Sequence, residues 1–87
     1  MMQRRLRWFR GWSAPAIGRA IQDLRIARDW NQEELAERVD SSRATISRME
    51  RGGSVANTLV VRVLDELGYE LVIIPKGVVV RLEEADK

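Results

Sequence analysis

Five small or basic residues on one face of a short predicted helix form the part of this chain best suited to binding chemistry. They are Arg43, Ala44, Thr45, Ser47 and Arg48. An arginine can donate two hydrogen bonds to guanine, a contact that supplies about 1–3 kcal/mol of base discrimination. Hydroxyl groups can donate to phosphate oxygens, and Ala44 and the Thr45 methyl group can contact a thymine methyl. No carboxylate interrupts this face, so we predict that it contacts double-stranded DNA.

Two helices joined by a short polar turn must position this face. Asn31 is a good cap for the first of them, over residues 32–39, and Glu34 stands three residues later, where it can close a capping box. Apolar residues then recur at the spacing of one helix face. These residues are Leu35, Ala36 and Val39.

The second helix, over residues 42–51, carries the predicted binding face. Ser42 follows the polar turn and can cap this helix, while Gly52 is a natural stop for it. Ile46 and Met49 occupy its inward positions. The spacing therefore directs the basic and small residues outward.

Two further helices flank this pair. Pro15 suits the first turn of a helix that reaches about Arg28, because the N–H group that proline lacks would be unpaired there. Asn57 is predicted to cap a fourth helix that ends at Gly68. Their apolar faces contain Ile17, Ala20, Ile21 and Leu24 in the first helix, and Leu59, Val60, Val63, Leu64 and Leu67 in the fourth.

From about residue 17 to residue 67, the chain resembles the Cro/C1-type (Xre) helix-turn-helix regulators. The resemblance implies a sequence-specific DNA-binding transcriptional regulator, which we expect to be a dimeric repressor that reads the major groove of its operator. The matching residues are Gln32, Glu34, Leu35, Ala36, Ser42, Thr45, Ile46, Ser47, Arg48, Glu50 and Gly52.

The family resemblance also implies roles for single residues. Gln32 is expected to hydrogen-bond a DNA phosphate, assisted by the N–H groups of its helix N-terminus, although it is also simply a suitable first-turn residue. Arg25 and Glu50 are expected to form a structural pair between the first and third helices. The position of Trp30 before the cap of the second helix, and not the resemblance, indicates a packing residue or hydrophobic staple. The full predicted DNA-binding set is Gln32, Ser42, Arg43, Ala44, Thr45, Ser47, Arg48 and Arg51.

The end of the chain contains two β-rich runs, residues 71–74 and 78–82, around the turn residues Pro75, Lys76 and Gly77. Because an isolated hairpin is marginal in water, we expect the runs to pair with those of a second copy; an intramolecular hairpin is the alternative. The sequence LDELGYELVIIPK also resembles the HipB-type antitoxins, which would add a toxin protein as a partner. The predicted dimerisation residues are Leu71, Val72, Ile73, Ile74, Val78 and Val80.

The N-terminal residues 1–12 carry four arginines and no acid, so the net charge of +2 leaves −2 for the rest of the chain. Such an arm can follow DNA phosphates or enter a minor groove. It can equally contact a partner protein or a membrane surface, or be a disordered extension. The arginines of this possible DNA arm are Arg4, Arg5, Arg7 and Arg10.

Composition narrows the function classes. The chain has 87 residues, no cysteine and no histidine, so thiolate and imidazole metal ligands are absent and few groups suit acid–base or nucleophilic catalysis. We therefore predict a protein that is not an enzyme, has no catalytic residue, and binds neither metal nor cofactor. No apolar run is long enough to cross a membrane. A bacterial cytoplasm, at the nucleoid through operator binding, is the expected location.

These observations predict a mainly α protein. We expect a four- to five-helix helix-turn-helix domain with a C-terminal β-strand or hairpin for dimerisation. The predicted organisation is a basic arm over residues 1–14, the DNA-binding domain over 15–68, the β dimerisation segment over 69–82 and a polar tail over 83–87.

Overall fold

A computed structural model describes residues 7–81 and contains four helices in that range. This confirms the mainly α prediction. The Arg4 and Arg5 positions, Leu82 and the predicted polar tail lie outside the described residues. The helices are α1 (Ala14–Ala27), α2 (Gln32–Arg38), α3 (Arg43–Glu50) and α4 (Asn57–Glu66).

One apolar core holds the four helices together. Every helix contributes to it the face that its sequence spacing predicts, which removes those side chains from water. Full burial of one such aliphatic side chain stabilises a fold by about 1.5–3 kcal/mol. The most deeply buried side chains are Ile21, Leu35, Val39, Ile46, Val63 and Leu67.

All four helices end in the same way, with a left-handed residue just after the C-cap. Gly52 and Gly68 fill this position after α3 and α4, but Asp29 and Asp40 fill it after α1 and α2. In each case the next N–H group donates back to the helix, which satisfies a carbonyl group that would otherwise be unpaired. These bonds join Trp30 to Arg25, Ser41 to Ala36, Gly53 to Arg48 and Tyr69 to Leu64.

Helix α1 packs directly on the end of α3. A Cβ atom at Gly18 would lie 2.4 Å from the Met49 carbonyl oxygen and 2.6 Å from that of Glu50. A Cβ atom at Gly52, which has φ +83°, would lie 2.7 Å from the backbone of Pro15. The absence of side chains at positions 18 and 52 therefore sets how closely α1 approaches α3.

The N-cap of α4 lies one residue before the predicted one. Asn57 is the first residue of the helix, and Ala56 is the N-cap, without any side-chain cap hydrogen bond. The apolar face of α4 has the predicted spacing, with Leu59, Val63 and Leu64 buried. Packing of this face fixes where the helix begins even though the local cap signal points elsewhere.

The predicted C-terminal strand or hairpin is not present among residues 7–81. A turn forms at Lys76 and Gly77, with Gly77 at φ +84°, but no backbone hydrogen bond joins the runs on its two sides. A strand requires a paired neighbour, and β-forming composition does not by itself provide one. Of the predicted dimerisation residues, Val80 is half-buried, whereas Leu71, Val72, Ile73, Ile74 and Val78 are exposed.

Part of the segment 7–13 contacts the folded domain. Ser13 caps α1 by accepting a hydrogen bond from the Ala16 N–H group at 3.2 Å. Phe9 is half-buried, and its ring centroid lies 6.4 Å from that of Tyr69, just after α4. This aromatic pair therefore links the segment before α1 to the residues that follow α4.

Candidate nucleic-acid interface

The N-terminus of α2 has the capping box that the sequence predicts. The Asn31 side chain accepts from the Glu34 N–H group at 2.8 Å, and the Glu34 carboxylate accepts from the Asn31 N–H group at the same distance. Both bonds fix the first turn of the helix. Gln32, the first residue of α2, is thereby held in a defined place at the helix N-terminus.

The Gln32 side chain turns toward the end of α3. Its amide nitrogen donates to one Glu50 carboxylate oxygen at 3.0 Å, a bond that the sequence analysis missed. A glutamine amide has two N–H donors, so one remains after this bond. The side chain is half-buried, which leaves part of it accessible to a ligand.

A tight turn connects α2 to α3. The left-handed Asp40 reverses the chain, and Ser42 then caps α3 by accepting from the Thr45 N–H group at 3.1 Å. The Ser42 and Thr45 hydroxyl groups also lie 2.8 Å apart and share a hydrogen bond. The two hydroxyls therefore stabilise the start of α3, and Thr45 is half-buried.

The outward face of α3 is basic and carries both short and long side chains. Arg43, Ala44 and Arg48 are exposed, as is Arg51 at the C-cap. Ser47 is half-buried, and its hydroxyl accepts a hydrogen bond from the Arg51 guanidinium. The structure thus gathers these five predicted residues on one side of α3.

The inward face of α3 is apolar apart from one acid. Ile46 and Met49 are buried as predicted, and Glu50 is buried with them. The carboxylate is therefore turned away from the basic outward face. The only acid of α3 is buried, so the three arginines on that face have no exposed acidic neighbour within the helix.

A buried ion pair holds the end of α3 against α1. The predicted pair of Arg25 and Glu50 is confirmed, with nitrogen–oxygen distances of 2.7 Å and 3.1 Å. Arg25 also donates to the Trp30 carbonyl oxygen at 2.7 Å. Because each charged group of this network has hydrogen-bond partners, the network fixes α1, α2 and α3 relative to one another.

Trp30 packs against the edge of the core, and two arginines lie close to its ring. The guanidinium carbon of Arg38 lies 3.9 Å from its ring centroid, and that of Arg28 lies 5.3 Å away. Arg38 further pairs with Glu66 at 3.5 Å. These contacts agree with the predicted packing role of Trp30.

Two further arginines tie helices together in ways that the sequence did not indicate. Arg28 donates to the Leu67 carbonyl oxygen at 2.9 Å, and Arg62 donates to the Val39 carbonyl oxygen. Both acceptor residues are helix C-caps, where backbone carbonyl groups lack hydrogen-bond partners within the helix. The two hydrogen bonds join residues that are 39 and 23 positions apart in the chain, so no local sequence pattern indicates them.

The arm arginines that the structure describes lie over the arm's own aromatic rings. Arg7 stands 5.0 Å from the Phe9 ring centroid, while Arg10 stands 5.6 Å from Trp8 and 4.9 Å from Trp12. Arg10 also lines a groove with residues of α1.

Residues 7–81 contain no cluster of acidic side chains suited to holding a metal ion. It also contains no helix that combines the length and apolar character needed to cross a membrane.

Comparison with known proteins agrees with this geometry. A family model described as helix-turn-helix matches residues 21–74, which include α2, α3 and α4. No curated protein matches the chain.

Two solved structures of the clp gene regulator ClgR from Corynebacterium glutamicum are similar to this chain. The first is 31% identical with a TM-score of 0.61, and the match covers 66% of this chain and 62% of that one, less than two thirds of its length. The second is 30% identical with a TM-score of 0.61, over 67% of this chain and 76% of that one. The family match and these neighbours give one result: the chain belongs to the Cro/C1-type helix-turn-helix family.

Proposed function

We propose that this protein is a dimeric, sequence-specific DNA-binding transcriptional regulator that acts as a repressor. The observation that carries the proposal is the outward face of α3, where Arg43, Arg48 and Arg51 are exposed and no acid stands among them. A helix with such a face fits the major groove, where arginine can bridge the two acceptors of guanine. Ala44 is small enough to allow close approach to a base edge.

Helix α2 supplies the contacts to the DNA backbone in this proposal. Its N-terminal N–H groups and the remaining donor of Gln32 face a phosphate, which fixes the orientation of α3 in the groove. The capping box leaves the N–H groups of the first turn in a fixed arrangement. Phosphate contacts of this kind add affinity and salt dependence but do not read sequence.

Two copies of the domain bind one operator. Successive major grooves on one DNA face lie about 34 Å apart, so a dimer can place one α3 helix in each. The exposed apolar residues 71–79 provide the contact between the copies. A repressor then acts by occupying the operator.

The testing experiment is selection of DNA from a random pool by the full-length protein. We expect enrichment of a two-fold symmetric site whose half-sites are centred about one helical turn apart. Affinity for that site should fall steeply as salt rises. If no sequence is enriched after repeated rounds, the protein is not a sequence-specific binder. A domain whose main role is protein interaction would show no salt-sensitive DNA shift.

A second candidate is an antitoxin that represses its own operon and also neutralises a toxin kinase. It is supported by the resemblance of the sequence after Val63 to HipB-type proteins and by the exposed apolar side chains of residues 71–79. The test is the neighbouring reading frame. A kinase-like gene beside this one, whose product the full-length protein binds and inhibits, would favour the antitoxin. A neighbour that the protein does not bind would favour a simple repressor.

A further inference from the structure

We propose that the aromatic N-terminal segment, residues 7–12, forms one homodimer interface together with the apolar C-terminal residues 71–79. This inference rests on the proposed dimer and assigns the arm to the partner copy instead of to DNA. The segment carries Trp8 and Trp12, whose rings are unusually exposed for tryptophan. The occupant of the surface is a second copy of this chain.

One aromatic contact links the arm to the start of the C-terminal run in the monomer. Phe9 contacts Tyr69, and both pack on the edge of the core. Tyr69 comes two residues before Leu71, where the exposed apolar run begins. Tyr69 and Leu71 also share a groove with the outer side of α4. The aromatic pair therefore connects the arm with the C-terminal run.

The arm exposes residue types that favour protein binding. Trp12 is 69% exposed and Trp8 is 47% exposed, and the Arg10 guanidinium lies within 6 Å of both ring centroids. Tryptophan and arginine are the residue types most enriched at the energetic centres of protein interfaces.

A second copy suits the C-terminal run better than an unrelated partner. Ile73 is 91% exposed and Val79 is 85% exposed, and the backbone of this β-rich run has no ladder partner in residues 7–81. Unpaired groups of this kind bind another extended chain. The same run in a second copy, related by a two-fold axis, offers matching apolar side chains and matching unpaired groups.

The available apolar area is enough for a dimer. The exposed apolar side chains of residues 71–79 amount to about 600 Å², and Trp8 and Trp12 add about 300 Å² between them. A standard interface buries ~800 Å² on each partner, of which roughly 60% is apolar. The two segments together therefore supply the apolar surface that such an interface needs.

The test is sedimentation velocity of the full-length protein from 1 to 100 micromolar, a range of about two orders of magnitude chosen to bracket a typical transient dimer. The double variant Trp8→Ala, Trp12→Ala should weaken dimerisation at least about tenfold. Ile26→Ala, which removes an exposed apolar side chain of α1, is the matched control and should dimerise as the wild type does. Circular dichroism and thermal unfolding establish that each variant is folded.

A second measurement separates an interface from a structural role. Acrylamide quenching of tryptophan emission should decrease as the wild type is concentrated, because Trp8 and Trp12 become shielded. In Ile73→Asp, which should be monomeric, quenching should not depend on concentration. If the double tryptophan variant dimerises like the wild type, the arm is not in the interface, although a dimer through residues 71–79 still stands.

The remaining outcomes are equally decisive. If Ile73→Asp also dimerises normally, the proposed C-terminal dimer itself is wrong. If the double tryptophan variant dimerises normally but the double variant Arg7→Ala, Arg10→Ala lowers the salt dependence of DNA binding, the arm contacts DNA and this inference is overturned.

Discussion

The Glu50 carboxylate, at the end of the proposed recognition helix, accepts hydrogen bonds from Arg25 in α1 and from Gln32 at the start of α2. One buried acid therefore connects the helix proposed to read bases, the residue proposed to hold a phosphate and the helix that supports both. The position of α3 relative to Gln32 depends on this acid.

Removal of that acid should destabilise the fold strongly. Glu50→Ala leaves the Arg25 guanidinium buried without its partner, and we expect a loss of about 3–5 kcal/mol in the free energy of unfolding. Urea unfolding at one fixed protein concentration measures this loss. Glu66→Ala breaks the partly exposed pair with Arg38 and is the matched control, with an expected loss below about 1 kcal/mol. Equal losses in the two variants would contradict the structural role of Glu50.

Gln32 should affect DNA affinity without affecting base preference. Gln32→Ala removes the proposed phosphate contact, and a hydrogen bond to a charged group contributes about 1.5–3 kcal/mol, so we expect at least a tenfold loss of affinity. Gln32→Glu should cost more, because it places a second carboxylate beside Glu50 and the phosphate. Fluorescence anisotropy with the selected operator and single-base variants measures both properties. An altered base preference would show that Gln32 reads sequence.

The arginines of α3 should divide into those that read bases and those that contact phosphate. Arg43→Ala and Arg48→Ala should each weaken operator binding, and at least one should relax preference at one base position by about 1–3 kcal/mol. Arg19→Ala removes the same charge from the exposed surface of α1 and serves as the control. Should both α3 variants bind as tightly as the control, the proposed face is not the DNA-binding one.

The turn between α2 and α3 should be sensitive to the residue type at position 40. Asp40 has φ +56°, a conformation that glycine adopts freely and that β-branched residues resist. Asp40→Val should therefore lower the free energy of unfolding by about 1–3 kcal/mol, whereas Asp40→Gly should leave it unchanged or raise it. Thermal unfolding of the two variants shows which of them is the more stable. If valine and glycine are tolerated equally, the left-handed turn is not required.

Dimerisation should depend on side chains that the single chain leaves in water. Ile73→Asp and Val79→Asp change residues outside the core, so the monomer should keep its unfolding temperature within a few degrees. Both should sediment as monomers and bind the operator much more weakly, because two linked copies gain affinity that one lacks. Dimers of normal affinity in both variants would place the interface elsewhere.

The two central helices could be predicted from sequence because their signals are local. The capping box at Asn31 and Glu34, the Ser42 cap and the apolar spacing all lie within a few residues of one another, and all agree. The pairing of Arg25 with Glu50 came from the family resemblance instead. Confirmation of that pair shows that the resemblance extends to the interior of the domain.

The remaining contacts could not be predicted because they depend on tertiary packing. The Gln32 bond to Glu50 needs the end of α3 to lie beside the start of α2, which no local pattern records. The C-terminal residues show the same dependence on a neighbour. Their composition favours a strand, but pairing needs a neighbour that residues 7–81 do not supply.

The close approach of α1 to α3 at Gly18 has a genetic consequence. Any side chain at this position would meet the carbonyl oxygens of Met49 and Glu50 and would push the proposed recognition helix out of place. A screen for alleles that no longer occupy the operator should therefore recover substitutions at codon 18, far along the chain from α3 itself. Such alleles would keep every DNA-facing side chain intact, and because the clash is with backbone atoms, no side-chain change in α3 should restore operator binding.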